Sequence, residues 1–413
     1  NLRYNLAHEF FWGFGVAFHT LYAVVPLFLR ELSAPEYIVV STAGVFSIAI
    51  AIPTLFSAAL GRNLKDIKRS VITDIKRSVI MVHCIILAVS FMMGFTFTII
   101  EPNIVEKAWK TYLTYFILYA FSIGIIVPIW TDFLNQGTLR SHRGRFFGLG
   151  FAFNSLGSLV GGIALNYLLS SSIEFPRNFG IGFFILFFSL MMGTILFFPF
   201  RIKEKKKSEK HLSVGQFISD TLEIVREHQN FKKYLFSRIF YSACLPGMGL
   251  YAVYCQDKFN FALSEAGVFT VLTVTCAAIS SYFAGKIGDR YGHINSMLLA
   301  YVGHLIAALI AKFAWGMYGV YMIFIAIGIG QGAFMPSAMN LIYDFSSKRD
   351  TKTYMALIDS ILAPFVLFYM VLIGWLVKRG NYELSLNILV VSLLIGVLIM
   401  FFIVEDPKNE KMI

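Results

Sequence analysis

The 413-residue chain is 57% hydrophobic, only 14% charged, and carries 42 Phe, a load that no water-soluble domain of this length tolerates on its surface. Its net charge of +11, from 35 Lys and Arg against 24 Asp and Glu, would suit a polyanion. The basic residues instead sit between apolar stretches, which ties them to membrane topology and requires no nucleic-acid partner.

A helix rising about 1.5 Å per residue needs roughly 20 apolar residues to cross a hydrocarbon core of about 30 Å. Twelve such spans are predicted, over 5–29, 37–60, 79–100, 110–134, 146–170, 179–200, 234–256, 262–284, 293–313, 317–343, 353–377 and 383–404. Strand-like alternation is missing, so a barrel is excluded. Span 1 is too long for a signal-peptide core and is expected to remain a membrane helix.

The loop after span 2 contains DIKRSVI twice, at 66–72 and 74–80, and reads as a solvated basic loop. Span 4 contains GIIVPIWTD, with Gly124, Pro128 and Asp132, and span 5 contains Gly148, Gly157 and Gly161. Residues 201–233 begin as a charge run and become amphipathic around Val214, Phe217 and Ile218, as expected of a linker with a helix on the membrane surface. Span 10 contains GAFMPSAMN, with Gly332, Pro336 and Asn340, so spans 4 and 10 share G-x-x-x-P-x-x-x-[DN]. Cys84, Cys244, Cys255 and Cys276 fall within spans without paired spacing and are expected to be core thiols.

With the amino terminus in the cytoplasm, 26 of the 35 Lys and Arg fall on the cytoplasmic side and 8 on the other, while Arg238 lies within span 7. Basic loops resist translocation, so both termini are expected to be cytoplasmic. The fold class expected is an all-α integral membrane protein, with twelve transmembrane helices in two pseudo-symmetric six-helix bundles. Residues 1–200 would form the first half, 201–233 the linker and 234–413 the second half.

Between spans 8 and 9 the chain reads GKIGDRYGHINSM, with Gly285, Asp289, Arg290 and Gly292 in the order G-x-x-x-D-R-x-G. This resembles the signature loop of the major facilitator superfamily, and RSHRGRFFG, with Arg143 and Arg145, resembles the basic turn many members carry before span 5. The first-half counterpart departs from the pattern, since Asp66 is one residue late and no Gly follows it. The span 5 glycines resemble an antiporter motif that lacks its Pro, and close helix packing accounts for them equally well. The resemblance implies a secondary transporter working by alternating access, in which Asp289 and Arg290 act as a gate; a topological stop is the plainer reading.

Ionisable residues within spans are costly and therefore candidates for function. They include His8, Glu9 and His19 in span 1, His83 in span 3, Asp132 in span 4, Arg238 in span 7, His304 in span 9 and Asp359 in span 11. The resemblance implies that spans 1, 4, 7 and 10 line the cavity, giving His19, Tyr22, Tyr119, Trp130, Tyr251, Gln331 and Asn340 as its wall and His304 as a structural group. Asp132, Asp359, Glu9 and Arg238 are expected near the cytoplasmic side, as a breakable gate or as packing pairs. Asp132, then Asp359, with His19 as a further candidate, are the expected proton-coupling groups. Aromatic walls with few fixed charges suit a small neutral or amphipathic organic solute. The alternatives are a sugar or metabolite symporter, a lipid translocator and a transporter-like sensor. No cofactor, metal or catalytic motif is recognised, so enzymatic activity is not expected. The chain is expected to work as a monomer in a plasma or bacterial inner membrane.

Overall fold

In a computed structural model, the described residues are 1–60, 75–100, 108–138, 143–202, 223–224, 226–346 and 351–407. Side chains at 54–60, 128, 132, 135, 143–145, 351–353 and 355–356 lie outside that description. Twelve helices follow the twelve predicted spans. They are α1 (α1a Leu2–Val16, α1b Val24–Glu31), α2 (α2a Glu36–Val40, α2b Thr42–Leu60), α3 Ile75–Ile99, α4 Trp109–Gly137, α5 Arg143–Leu169 and α6 Arg177–Ile195. The second set is α7 (α7a Gln229–Tyr241, α7b Cys244–Phe259), α8 Glu265–Tyr291, α9 His293–Phe313, α10 Met317–Ser346, α11 Thr351–Lys378 and α12 Tyr382–Phe402.

Ten of these are long and apolar enough to cross a membrane. The other two, α2 and α7, are interrupted: the apolar stretch in α2 runs only from Thr42 to Pro53, and α7 is divided into segments of 13 and 16 residues. Outward faces carry Phe91, Phe95, Phe188, Phe401 and Phe402, all exposed, which is the surface lipid would cover. Cys84 is also exposed, so it is not the core thiol expected, whereas Cys244 and Cys255 are buried.

The packing has a two-fold logic. Within the first half α1 packs on α5 and α6, α3 on α4 and α6, and α2 on α4; within the second, α7 packs on α11 and α12, α9 on α10 and α12, and α8 on α10. Adding six to each label converts one set into the other. The main contacts between halves, α5 with α8 and α2 with α11, exchange under the same operation. Gly124 sits against the Ile50 carbonyl on α2 and Gly332 against the Ala277 carbonyl on α8, so the repeated glycine marks the same close crossing twice. Likewise His8 Nδ1 donates to the Gly193 carbonyl (3.0 Å) and Ser237 Oγ to the Gly396 carbonyl (2.8 Å), joining the first and sixth helices of each half.

The first helix of each half is also broken near its middle. A 3₁₀ turn at Ala17–His19 separates α1a from α1b, and a turn at 242–243 separates α7a from α7b. Each second segment has a proline, Pro26 or Pro246, in its first turn, where the missing N–H costs nothing.

Three local expectations change. The second DIKRSVI copy is helical from Ile75, because Val79 is buried against Phe133, Phe197 and Phe200 and draws the segment into α3. Helix α8 continues to Tyr291, so Gly285, Asp289 and Arg290 lie on a helix and only Gly292 turns the chain. The first DIKRSVI copy and the amphipathic stretch around Val214 lie outside the described residues.

Candidate functional site

A cavity of about 510 Å³ lies between the two halves, bounded by α1 to α5 on one side and by α8 and α10 on the other. Its shape depends on how closely α1 and α5 approach. A Cβ on Gly157 would run into the Phe10 backbone, and one on Gly161 into that of Phe14, so the glycines of α5 are there because the backbones nearly touch. Gly148 has open space around it, which supports the packing account over a three-glycine motif. This crossing brings Asn154 to Glu9, whose carboxylate accepts an N–H at 3.0 Å, and Ser158 to the Gly13 carbonyl at 3.0 Å.

Five of the seven expected wall residues line the cavity: His19, Tyr22, Tyr119, Trp130 and Gln331. His19 sits at the break in α1, with Nε2 2.9 Å from the Tyr112 hydroxyl and its ring 4.6 Å from that of Tyr119. The hydroxyl of Tyr119 and the indole Nε1 of Trp130 are buried without hydrogen-bond partners among the described residues. Tyr251 is buried inside α7b, and Asn340 lies further along α10; neither is on the cavity wall. His304 is a buried structural group, with Nδ1 3.1 Å from the Ala300 carbonyl and 3.0 Å from the Tyr241 hydroxyl.

Of the four charged residues expected near the cytoplasmic side, Arg238 lies beside Asp359, and Glu9 has no ion pair with Arg238 among the described residues. Arg238 stays within its own half: its guanidinium lies 4.6 Å from the centre of the Phe334 ring, it donates to the Tyr234 hydroxyl (3.2 Å), and its charge acts on Asp359. The aromatic faces hold the cation locally, while its Nε–H is buried without a hydrogen-bond partner among the described residues. The side chains of Asp132, Arg143 and Arg145 lie outside the description.

The sequence did not give His8, Trp12, His83 and Asn154 as wall residues, and Glu9, expected near the cytoplasmic side as part of a gate or a packing pair, is also on the cavity wall. Ionisable side chains within spans were the available signal, but a span shows no direction until its neighbours are known.

Above the cavity, the halves are joined at the face opposite the chain termini. Arg30 pairs with Asp257 and donates to the Val253 carbonyl (2.9 Å) and Gln256 (3.2 Å). Tyr382 donates to Glu36 (2.5 Å) and lies 3.3 Å from Asp257, while Asn166 donates to the Ser264 carbonyl (2.9 Å). At mid-depth Thr20 meets Thr270 at 3.5 Å. These hydrogen bonds between the halves lie between that level and the opposite face. At the terminal face, Asp289 and Arg290 are exposed. Gly292, at φ +92°, allows the turn into α9, where the Ile294 N–H reaches Asp406 at 3.3 Å, and a Cβ at Gly292 would collide with that carboxylate.

Two pseudo-symmetric bundles around a mid-depth cavity, sealed on one side by bonds between the bundles, define a membrane carrier of the alternating-access type. The model of the Major Facilitator Superfamily matches residues 70–256 and 248–412, and the chain belongs to that family. Its fold is shared by a D-xylose-proton symporter (14% identity, 99% of this chain and 98% of that one, TM-score 0.72). It is shared as well by a POT family transporter solved with 5-aminolevulinic acid (12% identity, 98% and 96%, TM-score 0.71). A cis,cis-muconate transport protein of Acinetobacter baylyi is 24% identical over 161 residues, 38% of each chain, so the chain spans well under half the length of that curated relative.

Proposed function

We propose that the protein moves a small neutral or amphipathic organic solute across a cell membrane by alternating access, coupled to protons. The observation that carries this reading is the cavity itself: it is walled largely by aromatic and aliphatic side chains, and none of its wall residues among those described is Lys or Arg. A dicarboxylate such as the muconate of the relative's name would require a cation on the wall, and that substrate class is disfavoured. Residues 1–200 and 234–413 would rock as two bodies joined by 201–233, with the terminal face in the cytoplasm as the 26-to-8 basic asymmetry requires. The cavity then opens inward, and the Arg30 network closes the outer side. Asp132 is the first candidate for coupling, with Asp359 and His19 next. A monomer is sufficient for this mechanism, because each chain contains both halves.

The test uses purified protein in liposomes, after a thermal-stability screen against a solute library at two pH values supplies a ligand. Asp132→Asn should abolish accumulation driven by a pH gradient and retain counterflow exchange, which needs the rocking motion but no net proton movement. Accumulation that survives in Asp132→Asn would remove that residue from coupling. A library in which no organic solute alters stability or exchanges would defeat the substrate reading.

A further inference from the structure

Among the described residues, the terminal-face end of the cavity holds acceptors with one partner or none, beside the single unpartnered N–H of Trp130. A backbone carbonyl can only accept. His8 Nδ1, 3.0 Å from the Gly193 carbonyl, and His83 Nδ1, 2.7 Å from the Val79 carbonyl, must therefore both carry hydrogen. In the neutral rings each Nε2 is then a lone-pair acceptor, and that of His83 is buried without a partner. Glu9 is 5% exposed, and among the described residues its one hydrogen bond is from Asn154. Among the described residues it has no ion pair. His83 is 1% exposed, yet it lines the cavity with His8, Glu9 and Trp12. Its ring lies 6.1 Å from that of His8 and 5.7 Å from that of Trp12.

A buried carboxylate with one amide partner and a nearby orphan acceptor need both N–H donors and positive charge. A metal ion would supply charge, but no three His, Cys, Asp or Glu side chains converge on one point among the described residues. A protonated amine supplies both, and its charge is further favoured over an aromatic face such as Trp12. We propose that this end of the cavity binds the protonated amine of an amphipathic solute, with Glu9 as its counter-charge, His83 Nε2 as an acceptor of its N–H, and Trp12 as the ring beside it. The remaining aromatic wall, from Tyr119 to Trp130, takes the apolar body. This assignment rests on the organic-solute reading of the same cavity and narrows it.

The experiment measures binding to the purified full chain with matched probes of one skeleton: tryptamine, the neutral alcohol tryptophol, and indole-3-propionate. Smaller and larger primary amines, each with its own alcohol and carboxylate, complete the panel. In at least one set the amine should bind about tenfold or more tightly than its alcohol and carboxylate, and Glu9→Gln should remove that preference. His83→Phe keeps the ring packing and deletes the acceptor; it should weaken the amine by about threefold or more and the alcohol by less, because a charged N–H donates the stronger hydrogen bond. If Glu9→Gln does not fold, His83→Phe carries the test alone. Alcohols or carboxylates that bind as tightly as the amines, an amine preference that survives Glu9→Gln, or an equal loss of amine and alcohol in His83→Phe would each overturn the proposal while the organic-solute reading stands. A full library without any binder would defeat both.

Discussion

The two ends of the molecule hold their charges differently. At the face opposite the termini, Arg30, Glu36, Asp257 and Tyr382 come from both halves and bond across the seam. At the terminal face three charged contacts lie within one half: Arg238 among rings beside Asp359, Lys233 with Glu405 at 3.2 Å, and Asp406 at the start of α9. If the halves rock as proposed, engagement of the network at one end goes with disengagement at the other. The motif most legible in the sequence, Asp289 and Arg290, belongs to the disengaged end.

Breaking the engaged end should produce the largest effect. Arg30→Ala removes an ion pair and two hydrogen bonds; because Asp257 is more than a third exposed, solvent screening limits the loss to about 1–2 kcal/mol. The ratio of states should move roughly five- to thirtyfold toward opening at that face, read as a longer distance between spin labels on α1b and α7b. An unchanged distance distribution would show that α5 with α8 and α2 with α11 hold the seam without it.

Asp289→Asn addresses the other end. It should slow transport by about tenfold and leave expression and equilibrium ligand binding nearly intact, since the residue is exposed in the conformation with the terminal face open and lies away from the cavity wall. Transport at the parental rate would reduce the loop to a topological stop.

Tyr382→Phe deletes a single hydroxyl from the Arg30 network and should shift the same distance distribution in the same direction by about 1 kcal/mol, less than Arg30→Ala. A larger shift than that of Arg30→Ala would make Glu36, and not Asp257, the centre of the network.

The smallest effect belongs to Lys233→Ala. Its pair with Glu405 is solvent-exposed on both sides and confined to one half, so stability should fall by less than about 0.5 kcal/mol, and transport should be unaffected. A transport defect would mean that the terminal-face charges of the second half also meet the first half during the cycle.

Spans, halves and family are legible in the residues alone because they depend on composition and period. Twenty apolar residues have one stable arrangement in a bilayer, and Gly124 and Gly332 repeat because the same two helices cross in each half. The cavity is legible only in part. His19, Tyr119 and Gln331 follow from the helices expected to face it, but Tyr251 and Asn340 come from the same reasoning and lie elsewhere. The turn that interrupts α7 changes the direction Tyr251 takes beyond it, whereas Asn340 lies past the end of the cavity along the unbroken α10, and residue spacing alone shows neither.

The sequence by itself determined that this chain spans a membrane in two related halves, since burying apolar length and keeping basic loops on one side are local requirements. Tertiary structure alone decided which charges are partners. Arg30 and Asp257 are 227 residues apart, and Glu9 and Asn154 are 145 apart. In each pair, contact depends on backbones brought together by glycines and by the two-fold packing of the halves, and an ion pair or a buried hydrogen bond acts only over a few ångströms.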